Sequence, residues 1–131
     1  MFIEGQGSID HPAYSAVTIG LIHGGTPHAM VLVHKPGLAE HDFDHLPGVS
    51  FPIAPLVPFI EMHERIAGMI APSKVVAIAL NTSLYPDDDE ARALIASIGK
   101  ETGLPTDDII RFGADGLWTA VRDAVDDLPW V

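Results

Sequence analysis

The segment Glu4-Gly5-Gln6-Gly7-Ser8 concentrates groups that can act on a small ligand. A carboxylate stands beside two glycines that let backbone approach a ligand closely, and Ser8, Asp10 and Pro12 follow where a helix is expected to open. A helix N-terminus offers unpaired N–H groups and the positive end of a dipole, so the arrangement suits a phosphate or a developing oxyanion. An ordinary tight turn is the competing reading: the glycines then serve only positive φ, and Ser8 or Asp10 only caps. His11 and Tyr14 lie at the same opening and can serve as acid, base or ligand-orienting groups, or simply pack.

Two further groups follow apolar runs. Asn81-Thr82 can read a ring edge or a carboxylate through amide and hydroxyl, or can close an Asx turn. His34-Lys35 ends another run, and Lys35, one of few cations in the first half of the chain, suits an anionic ligand group. His41 and His45, with Glu40, Asp42 and Asp44, invite a metal reading, but their spacing matches no specific zinc signature, so no metal ligand set is assigned. His63 falls on the apolar face of an expected helix and reads as a buried or interfacial histidine. No Gly-x-x-x-x-Gly-Lys-[Ser/Thr] loop and no Gly-x-Gly-x-x-Gly fingerprint occurs in the sequence.

These residues need a scaffold, and the apolar pattern predicts one. Strand-like runs cover Met1 to Glu4, Ala29 to His34, Lys74 to Leu80 and, more weakly, Asp108 to Phe112. The middle two are near-continuously apolar, as strands covered on both faces are. Helices are expected from Pro12 to about Ile22, apolar nearly all round and so buried, and from Pro55 to about Ile70. A third follows an Asp87/Glu90 capping box and ends at Gly103, and a fourth covers Asp115 to Asp126. The alternation predicts a three-layer α/β fold over 1–131: one domain, with a mostly parallel sheet and helices on both faces. The segment from Lys35 to about Ala54 reads as one long loop.

Composition narrows the function. The chain has 131 residues, 47% of them apolar, 18 acids against 7 Lys plus Arg, and no cysteine. Zero cysteines exclude disulfide scaffolds, Cys-ligated metal and thiol nucleophiles. A net charge of −11 argues against nucleic acid or an anionic membrane as the main partner. Residues 12 to 33 lack charged side chains of the Lys, Arg, Asp and Glu types, yet His23-Gly24-Gly25-Thr26-Pro27-His28 divides them into pieces too short to span a bilayer. A small-molecule substrate and a cytoplasmic setting are the expectation.

Read together, Phe2 to Ser8, His11-Pro12-Ala13-Tyr14-Ser15, Val17 to Gly24, Ala79-Leu80-Asn81-Thr82, Glu101-Thr102-Gly103-Leu104-Pro105 and Arg111-Phe112-Gly113 resemble a known family. It is the family long catalogued as a domain of unknown function, some members of which are D-glutamate N-acetyltransferases. The resemblance implies a two-domain protein, an N-terminal Rossmann-like domain followed by a P-loop-type domain whose later half looks like this chain. It also implies acyl transfer from acetyl-CoA to the amine of a small amino acid. Glu4, His11 and Ser8 would then be catalytic, Gly5, Gln6, Gly7, Asn81 and Thr82 would bind the cofactor, and Tyr14, His34 and Lys35 the substrate. Within P-loop relatives, dethiobiotin synthetases carry a similar Glu-Gly-x-Gly turn near metal and phosphates and a strand-terminal Asn that reads the base. That similarity implies a nucleotide, with magnesium, as the alternative to acetyl-CoA, in an ATP-dependent ligase or kinase-like enzyme. A third reading is a non-catalytic module that self-associates or packs on a partner through an open sheet edge. With no phosphate loop before Glu4, the chain is expected to be the C-terminal part of a larger protein, to lack an N-terminal domain, to form a homo-oligomer and to be inactive alone.

Overall fold

The computed structural model describes residues 1–43 and 45–126. The elements run α1 (Ser15–Gly25), β1 (Ala29–His34), α2 (Leu56–Ala67), β2 (Lys74–Leu80), α3 (Asp88–Thr102), β3 (Thr106–Asp107) and α4 (Asp115–Asp126). The fold is α/β: the three strands form one parallel sheet in the order β1-β2-β3. The described residues divide into two compact units, Met1–Pro27 with Leu38–Ser73, and His28–Gly37 with those from Lys74 onward.

The second unit holds the sheet. Its central strand, β2, is buried on both faces, which is why it reads as a continuous apolar run. On one face Ala77 and Ala79 pack with Leu117 and Ala120 of α4. On the other, Ile78 and Leu80 are equally buried. Helix α3 starts as its sequence demands: the Asp87 carboxylate accepts the N–H groups of Asp89 and Glu90, and Gly103 closes the helix in the left-handed region at φ 71°.

The first unit pairs α1 with α2. The His23 imidazole bonds to the Ile66 carbonyl at 2.9 Å, and Leu56, Phe59 and Ala67 supply the buried stripe of α2. None of the described helices is long and apolar enough to cross a membrane.

Several expectations are corrected. Met1 to Glu4 is not a strand; no described strand lies beside it to complete a ladder. The fourth strand lies earlier, at Thr106–Asp107, because the Asp108 side chain accepts the N–H groups of Ile110 and Arg111 and turns the chain. Helix α1 begins at Ser15 rather than Pro12, and it runs through Gly24-Gly25 to a left-handed Thr26 at φ 40°. Its apolar surface is not buried all round: Thr18 is its one buried residue, and Val17 is 49% exposed. Helix α2 ends at Ala67, short of Ile70. The Lys35 to Ala54 segment is not structureless, since Glu40 bridges Pro52 and the N–H groups of His41 and Ile53 bond to Phe51 and Ala39.

Candidate functional site

In the first unit, Glu4, Gly5, Gln6 and Gly7 are all exposed. Gly7 adopts φ 88°, and a Cβ there would fall 2.6 Å from Tyr14 Cβ, so both conformation and space require glycine. The buried Thr18 hydroxyl lies 3.1 Å from the Gln6 carbonyl and 2.8 Å from the Gly7 carbonyl, one proton shared between two acceptors. The peptides of this loop are trans, so the N–H following each carbonyl points the opposite way. The Gly7 and Ser8 N–H groups therefore face away from Thr18. Two successive amides aimed outward beside a left-handed glycine suit a phosphate or an oxyanion.

Asp10 is the hub beneath this loop. Its carboxylate accepts the Ser8 hydroxyl and the Ala54 N–H, the latter at 3.0 Å, and lies 2.8 Å from His41 Nε2. The imidazole approaches off the line of a directional hydrogen bond, and the contact is an ion pair only when His41 carries a proton on both ring nitrogens. Burial alone would raise the Asp10 carboxyl, but the Ser8 and Ala54 bonds and the His41 imidazole outweigh it and hold the carboxyl below its ordinary value. Next to it, buried His11 accepts the Ala13 N–H on Nδ1 at 3.1 Å, which leaves the proton on Nε2, 3.4 Å from the Asp42 carbonyl. His11, Ala13, Tyr14, Asp42, Phe43 and His45 line an open depression of about 150 Å³.

In the second unit the carboxyl ends of the strands bring His34, Lys35, Asn81 and Thr82 together: His34 pairs with Leu80 in register, and the Asn81 N–H bonds to the His34 carbonyl at 2.9 Å. Open α/β sheets bind ligands at this edge. Burial pushes the His34 imidazole below its ordinary value. Asn81 is exposed, and its Oδ1 accepts the Ser83 N–H at 3.1 Å in an Asx turn. Thr82 is fully buried, and its hydroxyl donates to Asp108 at 2.7 Å. Arg111 locks the same corner, with Nη1 2.6 Å from the Tyr85 carbonyl, Nη2 2.6 Å from the Pro86 carbonyl and Nε 2.6 Å from Asp88 Oδ1.

The expected residues thus fall into two groups. Glu4, Gly5, Gln6, Gly7, Ser8, His11 and Tyr14 belong to one unit, and His34, Lys35, Asn81 and Thr82 to the other. The Ser8 hydroxyl and the Thr82 hydroxyl are both engaged within the fold. Sequence reasoning missed Thr18, the Asp10–His41 contact and the Asp108–Arg111 corner. A lone threonine inside an otherwise apolar helix was the available signal for the first; the other two join residues far apart in sequence. Among the described residues, no three His, Asp or Glu side chains converge as a metal site.

Comparison with known proteins gives this geometry a context. Residues 1–118 match a family described as a domain of unknown function (DUF1611_C), P-loop domain. The chain belongs to the DUF1611 family. A DUF1611 family protein from Anabaena variabilis ATCC 29413, solved by crystallography, is 42% identical with a TM-score of 0.78, over 92% of this chain and 34% of its own. Two relatives are named D-glutamate N-acetyltransferase. That of Tritonibacter scottomollicae is 34% identical over 128 residues, 91% of this chain and 34% of the relative; that of a Pseudoalteromonas species is 34% identical over 116 residues, 88% and 33%. This DUF1611 chain therefore spans about a third of the length of the curated relatives it matches. The phosphate-loop motif itself is not among its 131 residues.

Proposed function

We propose that this DUF1611 chain forms part of the site of an N-acyltransferase that moves an acetyl group from acetyl-CoA to the amine of a small amino acid, D-glutamate being the first candidate. The observation that carries the reading is 34% identity, over 91% of the chain, to a protein named D-glutamate N-acetyltransferase. In that reaction the amine nitrogen attacks the thioester carbonyl, the C–S bond breaks, and coenzyme A leaves as a thiol. The ammonium proton must first go to a base, and the carbonyl oxygen carries negative charge in the transition state. The outward N–H groups of Gly7 and Ser8 fit that oxyanion or a cofactor phosphate, and exposed Glu4 fits the base. His11 serves as an orienting group, because its Nδ1 lone pair is already used by Ala13. Asn81, His34 and Lys35 form a separate polar group at the sheet edge of the second unit, where open α/β sheets take ligands.

The test replaces the matched third of the Tritonibacter relative with this chain and assays the hybrid beside the chain alone. Thiol release from acetyl-CoA that depends on D-glutamate, with N-acetylglutamate detected by mass spectrometry, supports the reading. A folded hybrid that releases no thiol with any amino acid, beside an active relative, overturns it.

The family's description as a P-loop domain favours a second reading, in which a nucleotide with magnesium occupies the loop. Calorimetry of the hybrid with Mg·ATP decides between them; absence of heat removes it. Self-association through β1, an edge strand with Val33 74% exposed, is the arrangement we propose for the assembly.

A further inference from the structure

We propose that the depression lined by His11, Tyr14, Asp42, Phe43 and His45 binds the ammonium group of the acceptor, the rings giving cation–π faces and Asp42 the counter-charge. The inference rests on the acyl-transfer reading and names the part of the acceptor that this pocket takes.

Four of the six lining residues carry rings, and the rings form steep walls. Phe43 stands at 88° to His11 with centroids 5.8 Å apart, and at 76° to His45 at 5.3 Å. Tyr14 lies 4.7 Å from His11 at a 37° tilt. Phe51 backs Phe43 at 5.3 Å and fixes its orientation. Aromatic faces carry negative quadrupole density, so several of them around a small space attract an organic cation. The His11 ring takes part in its neutral Nε2–H form, as its bond from Ala13 requires. On its other side His11 Nε2 lies 3.4 Å from the backbone carbonyl of Asp42, the residue that brings a carboxylate to the lining.

Charge and size point the same way. Among the described residues the lining contains one carboxylate residue and neither Lys nor Arg, a composition unsuited to an anion. A volume of about 150 Å³ lies below the roughly 300 to 1,000 Å³ of sites that enclose a whole ligand, so the depression takes a headgroup. An ammonium held here must lose its proton before attack, so the site selects the acceptor and the base acts on it.

The ¹⁵N-labelled chain is titrated by NMR with methylammonium chloride and tetramethylammonium chloride, with sodium chloride and sodium acetate at matched ionic strength. Saturable shifts of the His11, Ala13, Tyr14, Asp42, Phe43 and His45 amides with the ammonium salts alone are expected. Phe43→Leu, which keeps the apolar volume, and Asp42→Asn, an isosteric change at an exposed position, should each weaken binding about two- to five-fold. Absence of saturation with either ammonium salt, saturation with acetate, or unchanged binding in both variants overturns the inference. No acetyl-CoA is present, so failure of thiol release with ammonium binding intact defeats the acyl-transfer reading alone. Thiol release by a hybrid whose depression ignores ammonium defeats this inference alone.

Discussion

Thr82 is fastened to Asp108 twice: its N–H and its hydroxyl both donate to Asp108 Oδ2, at 2.9 and 2.7 Å. Asp108 Oδ1 meanwhile accepts the N–H groups of Ile110 and Arg111, each at 3.1 Å. The carboxylate thereby joins the end of β2 to the turn after β3. Replacing it by an amide turns one acceptor into a donor facing donors, and leaving such groups unpaired costs about 1–3 kcal/mol. Asp108→Asn is therefore expected to lower the unfolding free energy by that amount, read as a lower urea midpoint with an unchanged slope. Burial works to raise the Asp108 carboxyl, but the bonds from Thr82, Arg111 and Ile110 outweigh it and lower it below its ordinary 3.8. The stabilisation is thus fully present above about pH 4 and is lost as pH falls through the folded value. Acid unfolding curves of the wild type should show this loss below pH 4, and those of Asp108→Asn should lack it.

Asp10 plays the matching part in the first unit. It grips the segment after Leu38 at two points, His41 and Ala54, while Ser8 donates from the loop side. Asp10→Ala is expected to speed hydrogen exchange of the Ala54 amide and of its neighbours without changing exchange in β2. Equal protection of Ala54 in wild type and variant would show that the clasp is not what holds the segment. Because Asp10 is also held below its ordinary value, the same loosening should appear in the wild type as pH falls below about 4.

Much of the scaffold is legible in the sequence because its cues are local. The Val75 to Leu80 run, the Asp87 cap and the Gly103 stop each act within a few residues, and β2 and α3 follow them closely. Met1 to Glu4 has the composition of a strand, but a strand needs a neighbour, which composition does not reveal. Asp108 to Phe112 fails for the opposite reason: one side chain captures two backbone N–H groups and imposes a turn on β-branched residues. The candidate loop was visible through its glycines and carboxylate. Its support was not, because the Asp10–His41 contact spans thirty-one positions and no local pattern announces it.

The two glycines of the loop should respond differently to alanine. At Gly7 a new Cβ meets Tyr14 Cβ at 2.6 Å and the backbone sits at φ 88°, so Gly7→Ala combines a clash with a strained conformation. A loss of about 1–3 kcal/mol is expected, and Tyr14→Ala should not relieve it, since the obstructing atom remains. At Gly5 a Cβ meets no atom within 4 Å. Gly5→Ala should therefore leave the melting temperature unchanged while weakening acetyl-CoA binding by calorimetry, if the loop approaches a ligand there. Unchanged affinity in a stable Gly5→Ala variant would move the cofactor away from this loop.

His34 and His63 set the pH response at milder acidity. Burial lowers the His34 imidazole, and it lowers His63 as well, against the opposing effects of the Phe59 carbonyl bond and the Asp10 charge. A group whose folded value lies below its unfolded 6.5 binds fewer protons when folded, so stability rises with pH through that window. Below it the unfolded chain takes up protons that the folded chain refuses, and this contribution to stability is lost. NMR titration of the two ring Cε1–H signals should give midpoints below 6.5. Denaturant unfolding should show stability rising between those midpoints and pH 6.5, with a shallower rise in the His34→Gln, His63→Gln double variant. An identical slope in that variant would assign the pH dependence to other groups and remove burial of these two rings as its cause.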